Sequence, residues 1–132
     1  MILSNGTLRI FNAWALLECD DNIGKMYRAL YSLEYFYKPK IQKPLWGTHI
    51  SIIRGETTDL QSKIGQVNGF AITFGYLPRM STNGVHFYLP VICPLLDTIR
   101  LEAGLDKSCV SYHMSVGNIC DSSGNTPKEI YL

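Results

Sequence analysis

The sequence predicts an α+β fold. The expected architecture is an antiparallel or mixed sheet in two pseudo-symmetric lobes, with helices outside and a cleft between them. Three observations carry this. Strand, helix and strand follow one another twice, over about residues 7–54 and again over 84–118. Each unit ends in the same short motif, His49-Ile50-Ser51 and then His113-Met114-Ser115. Finally, 132 residues at 46% hydrophobic and 17% charged suffice for one buried core, so residues 1–132 read as a single domain.

Residues 7–19 read as one strand. Ile10 to Leu17 is apolar on both faces, with Asn12 and Trp14 sharing a side. Asp20-Asp21-Asn22 then supplies capping oxygens and negative charge for a helix start. Ile23, Met26, Tyr27, Leu30, Leu33 and Tyr37 recur at helical spacing, which predicts one buried stripe ended by Pro39. A basic, proline-bounded connector over 38–44 leads through Trp46-Gly47 into the first motif strand, which Arg54-Gly55-Glu56 closes.

Residues 59–64 read as a short helical turn and 70–76 as a strand. Pro78 and Asn83-Gly84 mark a loop or hairpin before a strand over 84–91. Pro94 suits a first helical turn, and Ile92, Leu95, Leu96, Ile99 and Ala103 form a second stripe ended by Gly104. Residues 110–118 carry the second motif strand, and 128–132 add a short final one.

Strand side chains alternate, so His49 and Ser51 share a face, as do His113 and Ser115. Two imidazoles that titrate near neutrality can divide base and acid duties around one phosphorus, while two hydroxyls donate to its non-bridging oxygens. No metal is required for that chemistry. A net charge of +1 provides no broad basic surface for long duplex nucleic acid. Cys19, Cys93, Cys109 and Cys120 show neither zinc-ligand nor Cys-x-x-Cys spacing, which suits free thiols in a reducing compartment. A basic, apolar leader and a membrane-length apolar run are both missing, so the expected location is cytoplasmic, with no membrane partner.

Two His-x-Ser motifs, each closing a strand–helix–strand unit in a small chain, resemble the 2H phosphoesterase superfamily. That group includes RNA ligase-like cyclic phosphodiesterases and compact phage nucleases that destroy cyclic-nucleotide signals of bacterial antiviral (CBASS) defence. The resemblance covers about residues 7–118 and rests on His49, Ser51, His113 and Ser115, serine standing where many relatives carry threonine. It implies a metal-independent phosphodiesterase with no cofactor. The expected substrate is a cyclic nucleotide, a cyclic oligonucleotide signal or a 2′,3′-cyclic phosphate RNA end, in the host cytoplasm if the protein is viral. Either water or a ribose 2′-hydroxyl can be the nucleophile.

Around these four residues, Trp46, Trp14, Tyr76 and Tyr112 are candidates to stack on a base, with core packing the alternative for each. Lys43, with Lys40, brings positive charge close by. Arg54 falls on the face opposite His49 in a regular strand; a bulge or the strand end would turn it toward phosphate, and a surface pair with Glu56 is the equal alternative. His86 lacks a companion serine and reads as structural. Two other functions compete. A sequestering module keeps the pocket without cleavage, and a metalloenzyme would use the histidines as ligands; the second lacks a nearby acidic or thiol ligand.

Overall fold

The structure, a computed structural model, describes residues 1–34, 41–108 and 111–119. Its first strand, β1 (Ile2–Phe11), reverses at Asn12-Ala13 into β2 (Trp14–Glu18). The single strand expected over 7–19 is therefore a hairpin. Asn12 adopts φ 53°, a left-handed conformation that asparagine tolerates better than most residues, so the turn forms without glycine and leaves Asn12 off the face of Trp14.

Helix α1 (Asp21–Glu34) follows, its first turn capped by Asp20 Oδ1, which accepts from the Asn22 amide at 2.9 Å. The buried face of α1 differs from the predicted stripe. Tyr27 is buried, with Ile23 and Tyr31 packed against the core, whereas Met26, Leu30 and Leu33 are 48%, 51% and 81% exposed. Tyr31 decides the rotation by meeting Phe87 edge-on at 4.9 Å. The stripe's last residue, Tyr37, and Pro39 lie outside the described residues, as do Lys40, Cys109, Cys120 and the final strand expected over 128–132.

After β3 (His49–Arg54) come α2 (Leu60–Ile64), a 3₁₀ turn (Gly65–Val67), β4 (Ala71–Tyr76), β5 (Ser81–Thr82), β6 (His86–Ile92), α3 (Leu95–Glu102) and β7 (His113–Asn118). On α3 the expected stripe holds for Leu96, Ile99 and Ala103, while Leu95 and Ile92 are exposed. The class is α+β. One seven-stranded sheet runs β4-β1-β2-β3-β7-β6-β5, every pairing is antiparallel, and β4 also pairs with β6.

The core lies on one face of this sheet. Leu8, Leu17, Ile50, Met114 and Leu89 are cross-strand partners in a row over five strands, all of them fully buried. Tyr27, Leu60, Ile64, Leu96 and Ile99 from the helices join the same cluster. Ile50 and Met114 are the middle residues of the two motifs. Burying each is worth roughly 1.5–3 kcal/mol, and it anchors the motif strand with histidine and serine turned the other way.

Candidate active site

The two motif strands are neighbours. His49 pairs with Ser115 and Ile50 with Met114, and the same register continued by one residue sets Ser51 opposite His113. Cross-strand partners share a face, so the histidine and serine side chains of both motifs lie on the side away from the core. Flanking strands extend that face. Glu18 and Leu16 of β2 lie opposite His49 and Ser51, while Tyr88 and Pro90 of β6 lie opposite Ser115 and His113.

His49 is fully buried. Its Nδ1 donates to Gly47 O at 2.7 Å. A carbonyl only accepts, so the ring proton sits on Nδ1 and the lone pair on Nε2. Nε2 is buried and has no hydrogen-bond partner among the described residues, nor has Ser51 Oγ. Burial is the main cause holding His49 below the ordinary imidazole value; charge on His113 and Arg54 acts in the same direction, against the Gly47 bond. The ring is therefore neutral at pH 7. His113 is half-buried, with the Tyr88 ring 4.8 Å away at 44°.

Arg54 reaches this face because β3 bulges. The ladder steps from Leu16–Ser51 to Ala15–Ile53, leaving Ile52 extra, and Arg54 pairs with Trp14. Among the described residues no carboxylate lies within ion-pair distance of its guanidinium. Burial lowers its pKa.

Trp46 stands between the two regions of interest. Its ring lies edge-on to His49 at 5.6 Å, to Trp14 at 5.5 Å and to Phe11 at 5.8 Å. A cleft of about 610 Å³ opens beside it, lined by Arg9, Phe11, Leu16, Glu18, Lys43 and Trp46 among others. Two oxygens of Asp21 hold the loop that carries Trp46. Oδ1 accepts from the Thr48 amide at 2.8 Å and Oδ2 pairs with Lys43 Nζ at 3.0 Å; the Thr48 bond is the main cause lowering the Asp21 pKa. Gly47 (φ 71°) is required here, since a Cβ would stand 2.8 Å from Asp21 Oδ1.

Tyr112 goes elsewhere. Its hydroxyl donates to Asp97 Oδ1 on α3 at 2.7 Å, and it lines a second cleft of about 330 Å³ with Asp97, Val91 and Ser108. Lys43 lines the larger cleft, but its charge is engaged by Asp21. His86 is buried on the histidine face, two residues from Tyr88 and opposite Asn118. Its Nδ1 has no hydrogen-bond partner among the described residues, and burial lowers its pKa. Glu18 and Tyr88 were not singled out as site residues from sequence; only the pairing of β2 with β3 and of β6 with β7 brings them in.

No family model matches this chain, and no curated protein or solved structure does either. What the arrangement can do is therefore argued from its own atoms. Cys19 and Cys93 are buried free thiols, and burial pushes both pKa values up, so neither is a nucleophile near neutral pH. Among the described residues no three His, Cys, Asp or Glu side chains are grouped to hold a metal ion, and no helix is long and apolar enough to cross a membrane. The histidine face offers a basic imidazole nitrogen, hydroxyl donors and the Arg54 guanidinium, with the Arg9–Glu18 ion pair further along it.

Proposed function

We propose that this protein is a metal-independent phosphodiesterase of the 2H phosphoesterase type. Its substrate class is a small cyclic nucleotide, a cyclic oligonucleotide signal or a 2′,3′-cyclic phosphate RNA end. One observation carries the reading: β3 and β7 are antiparallel neighbours, with the histidine of the first motif opposite the serine of the second. Strand order supports the two-lobed arrangement. β1-β2-α1-β3 and, apart from the two-residue β5, β4-β6-α3-β7 have the same order of strands and helix. Counted through the short β4–β6 pairing, their strands run β1-β2-β3 and β4-β6-β7 toward the β3–β7 pair.

In this mechanism His49 Nε2 takes the proton of the attacking hydroxyl or water, because its lone pair is bare and its ring neutral. The new O–P bond forms in line with the breaking one, and His113 gives its proton to the leaving oxygen. Ser51 and Ser115 donate to non-bridging oxygens, and Arg54 balances charge building on the phosphoryl group. Trp46 and Trp14 offer aromatic faces to a base. Nε2 is buried, and the Trp46 ring lies edge-on to His49 at 5.6 Å.

The test incubates the full chain with cyclic mono-, di- and trinucleotides and with 2′,3′-cyclic phosphate ends, chelator present. Cleavage is expected, falling on the order of 10²–10⁴-fold in His49→Ala and in His113→Ala. Tight retention of uncleaved ligand points instead to a sequestering module. A chelator-sensitive activity, or neither binding nor cleavage, overturns the proposal.

A further inference from the structure

Each motif strand carries a bulge one residue past its serine. On β3 the extra residue is Ile52; on β7 the ladder to β6 steps from Tyr88–Ser115 to Phe87–Gly117, and the extra residue is Val116. A bulge takes its extra residue out of the ladder and inverts the alternation beyond it. Arg54, opposite Trp14, and Asn118, opposite His86, thereby lie on the histidine face; unbroken strands would turn both toward the core.

Ile52 and Val116 are buried, so a carbonyl out of the ladder there needs another donor. An arginine reaches each one. Arg100 Nη1 on α3 donates to Ile52 O at 2.9 Å, and Arg28 Nη1 on α1 donates to Val116 O at 2.7 Å. The links are crossed. Helix α1 leads into β3 yet holds the bulge of β7, and α3 leads into β7 yet holds the bulge of β3. We infer that Arg28 and Arg100 are positioning residues, a reciprocal pair that fixes the two bulges and thereby keeps Arg54 and Asn118 beside the histidines. That Arg54 serves a phosphate rests on the phosphodiesterase reading; the clasp itself does not.

The two clasps are unequal. Arg100 is only 7% exposed and uses its whole fork, Nη1 and Nη2 reaching the two Glu56 oxygens at 2.7 Å each and Nε the Asp106 carbonyl at 2.9 Å. Glu56 Oε1 also accepts from the Arg54 amide at 3.3 Å, so the chain is held on both sides of Arg54. Arg28 is half-buried, and Asn118 is steadied besides by Gln42, whose Nε2 donates to its Oδ1 at 2.7 Å. A lysine has no planar fork and cannot reproduce the set of bonds that Arg100 makes, while methionine in place of Arg28 keeps an unbranched stem and removes the one donor to Val116 O.

The experiment uses isotope-labelled full chain with Arg28→Met and Arg100→Lys, reading cross-strand backbone contacts and amide exchange by NMR. Arg100→Lys should lose the Trp14–Arg54 contact while keeping Leu16–Ser51. Arg28→Met should lose His86–Asn118 while keeping Tyr88–Ser115. Arg28 is only half-buried and methionine keeps an unbranched stem there, so this variant keeps the fold and decides the matter even where Arg100→Lys does not; an unchanged His86–Asn118 contact there overturns the reciprocal clasp. On a cleaved substrate, Arg100→Lys should lower kcat/KM about tenfold or more, and Arg54→Gln should add little to it. Wild-type protein that cleaves nothing sinks the functional reading alone, because the NMR contacts still judge the clasp.

Discussion

Acidification should destabilise this protein well above the pH at which carboxylates protonate. His49 and His86 are both buried, and burial lowers both pKa values below the ordinary 6.5. In the window between 6.5 and the folded values the unfolded chain binds protons that the native chain refuses. Stability is then complete above pH 6.5, falls as pH drops through the window, and levels off once the native imidazoles also protonate. For one such histidine the loss at pH 5.5 has a ceiling of about 1.4 kcal/mol relative to pH 7.5, and of about twice that for two. Asp21, Glu56 and Asp97 do not blur this, because their ordinary values are 3.8–4.5 and folding lowers them further. Urea unfolding at pH 7.5 and 5.5, on wild type, His49→Gln and His86→Gln, measures the effect. Each variant should show a smaller difference between the two pH values than wild type. A wild-type stability identical at both, or a His49 ring found as imidazolium at pH 6.5 by nitrogen NMR, would refute the argument that burial governs these rings.

Gly117→Ala should destabilise by about 1–3 kcal/mol in the same unfolding assay at pH 7.5, since a Cβ there would run into Ile41 Cγ2 and nothing nearby is free to retreat. Trp46→Ala should weaken binding of a cleaved nucleotide by about 1–3 kcal/mol, read as a higher KM from initial rates, if the ring stacks on a base; an unchanged KM assigns Trp46 to packing alone.

Much of the fold is legible locally. Strands β3, β4 and β6 and helix α3 follow from β-branched and aromatic runs, from a helical stripe, and from proline and glycine at its ends. The β1–β2 hairpin does not, because its turn is Asn12-Ala13, a single polar residue and an alanine inside an otherwise apolar run. On α1 the spacing of Ile23, Tyr27 and Leu30 is helical, yet spacing fixes only that a face exists. Contacts with Phe87 and the core select Tyr27 and Tyr31 and leave Leu30 and Leu33 in solvent.

The site divides in the same way. The sequence by itself determined the chemical groups, two imidazoles each two residues from a hydroxyl, and the alternation that puts each pair on one side of its strand. Only tertiary structure decided that the two pairs are neighbours in antiparallel register, that Arg54 joins them, and that Lys43 and Tyr112 are tied to Asp21 and Asp97 instead. The physical reason is range. Strand alternation is a property of adjacent bonds, whereas register and bulges depend on which distant carbonyls find donors, here those of Arg28 and Arg100.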